Sequence, residues 1–226
     1  MVKSRKKYLV GVDIGGTTIT LIIIDKSGKI IGEKQFLTQA EKGPDFIIKS
    51  IIFNVKELIY NCGLKIRDVL KGGVGAPGPL DSKKGIIIDP VNLPGWINVK
   101  LKQKLERALK LKFIVDNDAN CATYGEKWIG AAKNAKNVVG LTLGTGIGGG
   151  IIINNKLVRG ASFNAGEIGH TSLNPEGIKC GCGAVGCFEQ YASASAIARD
   201  AKEKIKKGKV SLITEMVKGD LNKVTS

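Results

Sequence analysis

The residue types that bind a transition metal are concentrated in one short stretch, residues 164–189. The stretch holds His170, the only histidine of the sequence, followed by Cys180, Cys182 and Cys187 with glycines between the thiols. Thiolates and imidazole are ligands that zinc prefers, and four of them close a tetrahedral shell with no position left for a catalytic water. The pattern therefore predicts a structural zinc site, with ordinary reduced cysteines or a disulfide pair as the alternative.

Two carboxylates, Glu167 and Glu189, flank this predicted metal loop. Closure of the loop on an ion would fix the positions of Glu167 and Glu189 at its two ends. Carboxylate oxygens accept hydrogen bonds from hydroxyl groups, so the pair suits recognition of a polyhydroxy substrate. The metal is thus expected to shape a substrate site without reacting itself.

A second polar cluster is the sequence DNDAN at residues 116–120, which contains Asp118. It follows the predicted strand Phe113–Val115 and leads into the predicted helix Ala119–Ile129. Polar side chains at such a junction can simply be helix N-caps. The carboxyl end of a strand in an α/β sheet is also where ligands bind, and a carboxylate there can accept a proton from a substrate hydroxyl. Both interpretations stay open on these residues alone.

Two glycine-rich turns follow apolar strands in the two halves of the chain. Tyr8–Ile14 contains Asp13 and leads into Gly15-Gly16-Thr17-Thr18, whereas Val138–Leu143 leads into a hairpin of Gly144-Thr145-Gly146 with Gly148-Gly149-Gly150. Bare backbone amides and hydroxyls can approach a phosphate, and a neighbouring carboxylate can hold hydrated magnesium, although a Gly-Gly hairpin is often only a turn. The repetition suggests a duplicated α/β fold whose glycine turns face each other across a nucleotide-binding cleft.

Hydrophobic periodicity predicts the elements that position these residues. Further strands are expected at Thr17–Asp25, Lys29–Leu37, Val69–Ala76, Ile86–Ile88 and Ile151–Ile153. Further helices are expected at Asp45–Asn61, Val99–Leu109, Ala192–Lys207 and Leu212–Lys218. This order predicts an N-terminal α/β lobe at residues 1–117 and a C-terminal α/β lobe with the zinc loop at residues 118–226.

Composition limits the class of protein. The 226 residues are 43% hydrophobic with a mean hydropathy of +0.03, and no stretch has the character of a signal peptide or a membrane span, so a soluble cytoplasmic protein is expected. The net charge of +15 raises the question of nucleic acid. The lysines are spread along the chain, however, and aromatic residues make up only 5%, which favours a solvated surface or attraction of a polyphosphate substrate.

Five motifs along the chain resemble those of one family, and they occur in the order DIGGTT, VDNDANCA, LGTGIGGGI, AGEIGH and CGCGAVGCFEQYAS. Together they resemble the ROK family of sugar kinases and repressors, and in particular its bacterial glucokinases. The resemblance implies an actin-like ATPase fold of the hexokinase/HSP70 type, which is ribonuclease H-like. It also implies phosphorylation of a hexose hydroxyl by ATP.

The resemblance assigns a role to each cluster. Asp118 would be the general base, and structural zinc would be bound by His170, Cys180, Cys182 and Cys187. The sugar would be bound by Asn117, Glu167, His170 and Glu189, with His170 using its two ring nitrogens for sugar and zinc. The residues that would bind ATP and magnesium are Asp13, Gly15, Gly16, Thr17, Thr18, Gly144, Thr145 and Gly146.

Family kinases are longer than this chain. The resemblance therefore implies an incomplete second lobe with an uncovered sheet and an exposed apolar face, and adenine contacts beyond Ser226. The activity of these 226 residues themselves does not follow from the resemblance. The family's repressors carry an N-terminal helix-turn-helix, whereas this sequence starts directly with its first strand, which argues against a repressor. A homodimer is expected of a full-length kinase.

The residues leave the sugar and the phosphate donor open. Glucose is favoured by the glucokinase-like stretch Asn92–Trp96, while mannose, fructose and N-acetylmannosamine are alternatives, and inorganic polyphosphate is an alternative to ATP. The competing functions are a non-catalytic sugar- or zinc-binding module and a nucleic-acid binder with salt-dependent affinity. Cys62 and Cys121 are expected to be buried as small apolar residues.

Overall fold

The computed structural model describes residues 7–90 and 92–225, so residues 1–6, Val91 and Ser226, which include the outer ends of both expected lobes, lie outside the described part. The described strands are β1 (Tyr8–Ile14), β2 (Thr18–Asp25), β3 (Ile30–Leu37), β4 (Val69–Ala76), β5 (Leu80–Asp81), β6 (Ile86–Ile87), β7 (Phe113–Asn117), β8 (Val138–Leu143), β9 (Ile147–Ile153) and β10 (Lys156–Val158). The described α-helices are α1 (Gly43–Asn61), α2 (Leu101–Leu109), α3 (Asp118–Trp128), α4 (Glu189–Ala192), α5 (Ala194–Lys206) and α6 (Leu212–Met216).

The first sheet has five strands in the order β3-β2-β1-β4-β7. The meander β1-β2-β3 is antiparallel, while β4 runs parallel to both β1 and β7. Parallel neighbours need crossover connections, and α1 and α2 supply them. The carboxyl ends of β1, β4 and β7 therefore lie along the same edge of the sheet.

Helices α1 and α2 bury their apolar residues in the core with the first sheet. Leu101, Leu105 and Leu109 recur every four residues along α2, and all three are buried with Ile51 of α1 and Val12 of β1. Spacing of this kind places the three leucines on one helix face. The predicted helices Asp45–Asn61 and Val99–Leu109 are thus confirmed, with small shifts at their starts.

The second sheet repeats the first meander in the order β10-β9-β8, as the internal repetition predicts. One expectation about it is wrong, because Gly148-Gly149-Gly150 lies inside β9 and not in the hairpin. The reason is close packing of α3 on this sheet. A methyl group at Gly150 or at Gly140 of β8 would lie within 2.4 Å of the Thr123 hydroxyl oxygen, so only glycine lets α3 approach.

The repeat of the first sheet stops after three strands in the described residues. Strand β1 has β4 as its parallel neighbour, whereas the corresponding edge of β8 pairs with no described strand. Along β8, Val139, Leu141 and Leu143 are 67%, 47% and 70% exposed. This row is the exposed apolar face that an incomplete second lobe implies.

The C-terminal helices differ from the predicted segments at their ends. The predicted helix Ala192–Lys207 is broken at Ser193, whose side chain accepts a hydrogen bond from the N–H of Ala196 and so starts α5 afresh. The predicted helix Leu212–Lys218 is the shorter α6. Throughout the described residues, no helix has both the length and the apolar character needed to cross a bilayer.

Candidate functional site

A cleft of about 660 Å³ opens where the first sheet, α3 and β8 meet. Residues from each of these elements line it, including Asp13 of β1, Gly75 of β4, Asp118 of α3 and Thr142 of β8. The strand register places Asp13 beside Gly75, and Gly75 beside Asp116 of β7. The parallel strands thus bring their carboxyl ends, and the acidic residues there, to one wall of the cleft.

Asp13 and Asp118 approach each other across Gly75. A methyl group at Gly75 would lie 3.6 Å from Asp13 Oδ1 and 3.4 Å from the Asp118 Cα. Both residues are open to solvent on one side, but the surrounding cleft removes part of their water. Desolvation raises the pKa of Asp118, and desolvation followed by the charge of Asp118 raises the pKa of Asp13. The pair is therefore suited to accept a proton or to face a cation.

Cys121 lines the same cleft, and its side chain is exposed. The expectation that it is a buried apolar residue is wrong, because its face of α3 turns toward the cleft. Desolvation within the cleft and then the charges of Asp116, Asp118 and Asp13 raise the pKa of the thiol to about 12. Cys62 is half-buried and packs against the hydrophobic core, so the expectation of an apolar environment holds for it in part.

Asn117 and Glu167 converge above Gly78. A methyl group there would lie 3.8 Å from Asn117 Nδ2 and 3.5 Å from Glu167 Oε1. The Asn117 Oδ1 accepts the N–H of Asn120 at 3.1 Å and caps α3, so the simple N-cap interpretation holds for this residue. Its Nδ2 is not used by this cap, so a donor and the Glu167 acceptor both lie beside Gly78.

The remaining predicted sugar ligands lie around Glu167. His170 Nε2 is 4.0 Å from Glu167 Oε2. Desolvation raises the pKa of Glu167, the charge of His170 opposes this, and the charges of Asp118 and Glu189 reinforce it. Glu189 Oε2 accepts the N–H of Ile147 at 2.8 Å. The structure therefore brings Asn117, Asp118, Glu167, His170 and Glu189 into one polar group.

The two glycine turns flank the cleft without lining it. In the first turn, the N–H of Gly15 donates to Thr18 O at 3.0 Å, and Thr38 Oγ1 donates to Gly15 O at 2.7 Å. In the second, the N–H of Gly144 donates to Gly146 O at 3.0 Å, and Gly144 O accepts the N–H of Ala194 at 2.9 Å. Gly15 and Gly144 follow closely after the cleft residues Asp13 and Thr142, so each turn starts at the cleft edge.

The predicted metal ligands come together. The ligand atoms of His170, Cys180, Cys182 and Cys187 all lie within 4.8 Å of one another. Cys182 Sγ is 3.7 Å from Cys187 Sγ, and Cys180 Sγ is 3.6 Å from His170 Nδ1. A tetrahedral zinc ion with ordinary bond lengths separates two sulfurs by about 3.8 Å, and sulfur from nitrogen by about 3.5 Å. The donor set and its spacing fit zinc, and His170 directs its other nitrogen toward Glu167.

Sequence reasoning missed an ion pair beside this site. Asp116 Oδ2 accepts Arg159 Nε at 2.8 Å and lies 2.6 Å from Arg159 Nη2. The side chain of Asp116 is only 8% exposed. No local pattern indicates this contact, because the partners are 43 residues apart. The acidic residue at the end of a buried strand was the only available signal.

Comparison with known proteins places these features in a family. A model of the ROK family matches residues 9–225. The glucokinase of Halalkalibacterium halodurans is 42% identical over 206 residues, which are 91% of this chain and 62% of the relative. The xylose repressor of Bacillus subtilis is 34% identical over 88% of this chain and 51% of its own length. The chain thus spans less than two thirds of the curated relatives that it matches.

Among solved structures, the chain is similar to a ROK family glucokinase from Streptomyces griseus in complex with glucose and AMPPNP. The TM-score is 0.81 at 36% identity, and the match covers 96% of this chain and 68% of the other. The expected actin-like ATPase fold of ROK sugar kinases is therefore confirmed for the part of it that this chain contains. By its family match and its fold, the chain belongs to the ROK family.

Proposed function

We propose that this protein transfers a phosphoryl group from ATP to a hexose hydroxyl, with glucose as the favoured sugar. The observation that carries the proposal is the single polar group formed by Asn117, Asp118, Glu167, His170 and Glu189, of which Asp118 also lines the cleft. A hexose presents several neighbouring hydroxyls, and this group offers acceptors and donors on more than one side. Its relatives include the glucokinases described above.

Asp118 is the proposed general base. The sugar hydroxyl oxygen attacks the terminal phosphorus of ATP, the bond to the bridging oxygen of ADP breaks, and the hydroxyl proton passes to the Asp118 carboxylate. A base of this kind contributes roughly 10²- to 10⁴-fold to the rate. Desolvation raises the pKa of Asp118, which strengthens its carboxylate as a proton acceptor.

The glycine turns are the proposed phosphate sites. The N–H groups of Gly15 and Gly144 close the two turns onto Thr18 O and Gly146 O. Gly16, Thr17 and Thr18 then offer polar groups to the phosphates on the side of the first sheet, and Thr145 and Gly146 offer them on the side of the second. Magnesium bound with the nucleotide would neutralise phosphate charge, and Asp13 has the oxygen ligand that this ion prefers. These residues position the phosphates for in-line attack.

The zinc site is proposed to be structural. Zinc bound to four protein ligands supplies fixed geometry and no reactive water. The chain links this geometry to the sugar residues in two places, through the second nitrogen of His170 and through Glu189, which follows Cys187 closely. Bound zinc would therefore hold His170 and Glu189 in the positions from which they contact the sugar.

A second candidate is a sugar-binding domain without transferase activity. The similarity to a xylose repressor over 88% of this chain favours it, because a repressor needs recognition of its effector and no phosphoryl transfer. This candidate uses the same polar group around Glu167. If this candidate is correct, Asp118 and the glycine turns are dispensable for sugar binding.

A coupled assay with ATP and a panel of glucose, mannose, fructose and N-acetylmannosamine tests the proposal. The glucokinase of H. halodurans is the positive control, and inorganic polyphosphate replaces ATP in a parallel series. ATP-dependent formation of glucose 6-phosphate is the expected result. Calorimetric glucose binding without transfer would instead establish the second candidate, and the absence of any sugar binding would reject both.

A further inference from the structure

In the described structure, one ion pair joins residues 7–117 to residues 118–225. It lies next to the first turn of α3, which carries the proposed base. It joins Arg159, which follows β10, to Asp116 at the end of β7. We propose that Arg159 is a positioning residue for phosphoryl transfer, acting through Asp116 on the first turn of α3. The inference rests on the proposed function, since its purpose is to hold Asp118 at the sugar.

Three hydrogen bonds and one further ion-pair contact hold Asp116. Its Oδ2 accepts a hydrogen bond from Nε of Arg159 at 2.8 Å and lies 2.6 Å from Nη2 of the same residue. Its Oδ1 accepts the N–H of Asn117 at 2.9 Å and Nδ2 of Asn120 at 3.1 Å. Both oxygens are thereby engaged, so Asp116 has no free oxygen to act as a base. It instead connects Arg159 to the residues on either side of Asp118.

The contacts of Asp116 fix the direction in which α3 starts. Asn117 and Asn120 are themselves joined, because Asn117 Oδ1 accepts the N–H of Asn120 at 3.1 Å. Asp118 lies between them at the first position of the helix. A small rotation of this turn moves the Asp118 carboxylate relative to the substrate hydroxyl, and displacements of about 1 Å can cost about 100-fold in rate.

Arg159 holds the sugar-binding loop as well. Its carbonyl oxygen accepts the N–H of Ala165 at 3.1 Å, close to Glu167. One residue therefore connects the turn that carries the base to the loop that carries a sugar ligand. An arginine suits this task because its planar fork can place two N–H groups on one carboxylate.

The test compares Arg159→Gln and Arg159→Lys with the wild type, and uses Lys34→Gln as a matched control. Lys34 forms an ion pair of 2.8 Å with Glu57. Its side chain is 29% exposed, similar to the 38% of Arg159. The Lys34–Glu57 pair, however, joins the first sheet to α1 and does not reach residues 118–225. Three quantities are measured: hydrogen exchange of the backbone amides at residues 117–128, the glucose dissociation constant, and kcat. Zinc content serves as the control for folding.

In Arg159→Gln, we expect faster exchange in the first turn of α3 and a kcat lowered by about 10- to 100-fold, with the glucose dissociation constant changed by less than about threefold. Arg159→Lys recovers part of kcat, and Lys34→Gln behaves as the wild type. Asp116→Asn reproduces the loss, and the double variant is no worse than either single one, because both act through one contact.

Wild-type exchange in Arg159→Gln, or a kcat equal to that of Lys34→Gln, would overturn the inference. Equal loss in kcat and in glucose affinity would also overturn it, since that result describes general damage to the sugar site. If the wild-type chain transfers no phosphate, the proposed function fails. The exchange measurement then decides by itself whether Arg159 holds the first turn of α3.

Discussion

Replacement of Gly146 by alanine should weaken glucose binding by displacing a carboxylate. The added methyl carbon would lie 2.3 Å from Glu189 Oε2 and 3.1 Å from its Cδ. Oε2 must therefore retreat by about 1 Å to reach an ordinary contact of 3.4 Å. The same oxygen accepts the N–H of Ile147 at 2.8 Å, and a retreat of that size breaks the hydrogen bond.

The magnitude follows from the kind of bond that is lost. A hydrogen bond to a charged group contributes about 1.5–3 kcal/mol. If this bond holds Glu189 in place for the sugar, its loss raises the glucose dissociation constant by about 10- to 150-fold. The hairpin between β8 and β9 loses the same contact, so the free energy of unfolding should fall by a comparable amount.

Gly144→Ala is the matched control, because a methyl group at Gly144 meets no atom within 4 Å. Both variants would be studied by glucose calorimetry and by urea denaturation. We expect Gly144→Ala to bind glucose like the wild type. The effect of Gly146→Ala should disappear in a Glu189→Ala background, since the methyl group then displaces nothing. Similar losses in both glycine variants, or additive effects of Gly146→Ala and Glu189→Ala, would refute this reasoning.

Four further predictions concern the base and the metal. Asp118→Asn should lower kcat by roughly 10²- to 10⁴-fold while calorimetry finds unchanged glucose affinity, and normal turnover would exclude Asp118 as the base. The same variant should raise the free energy of unfolding at neutral pH, because the folded state raises the pKa of Asp118 and so disfavours its charged form. This gain, measured by urea denaturation, should vanish below the ordinary pKa of 3.8, and a loss at neutral pH would contradict it. For the same reason, kcat/KM should decrease at acidic pH with an apparent pKa above 3.8. This decrease should be absent in Asp118→Asn. Cys182→Ser should release zinc in a colorimetric assay and weaken glucose binding, and full glucose affinity in the metal-free protein would show that zinc does not organise the sugar residues.

Local patterns were enough to predict the parts of the site that are close in sequence. The approach of His170 to the three cysteines follows from ligand types within one short loop. The location of Asn117 and Asp118 follows from the rule that ligands bind at the carboxyl ends of parallel strands. Both depend on few elements, and the structure brings the residues together as expected. Zinc and the individual roles of these residues stay predictions.

Features that depend on packing between elements could not be predicted. Gly148-Gly149-Gly150 has the composition of a turn, but the approach of α3 to β9 requires these glycines within a strand. Cys121 has the character of a core residue, yet it lines the cleft and is exposed. Arg159 and Asp116 are 43 residues apart, and the strands next to them belong to different sheets. Each of these outcomes is a tertiary effect without a local sequence signal.

One edge of β8 pairs with no strand among residues 7–90 and 92–225, and this edge should make the behaviour of the chain in solution depend on ionic strength. Open backbone groups beside the exposed Val139, Leu141 and Leu143 favour self-association through added strands. A net charge of +15 keeps molecules apart at low salt. The screening length decreases from about 30 Å at 0.01 M salt to about 3 Å at 1 M. Added salt therefore weakens the charge repulsion between molecules, while the apolar contact at the edge of β8 is unaffected. Solubility should accordingly decrease as salt is added, and a lysine in place of Leu141 should restore it.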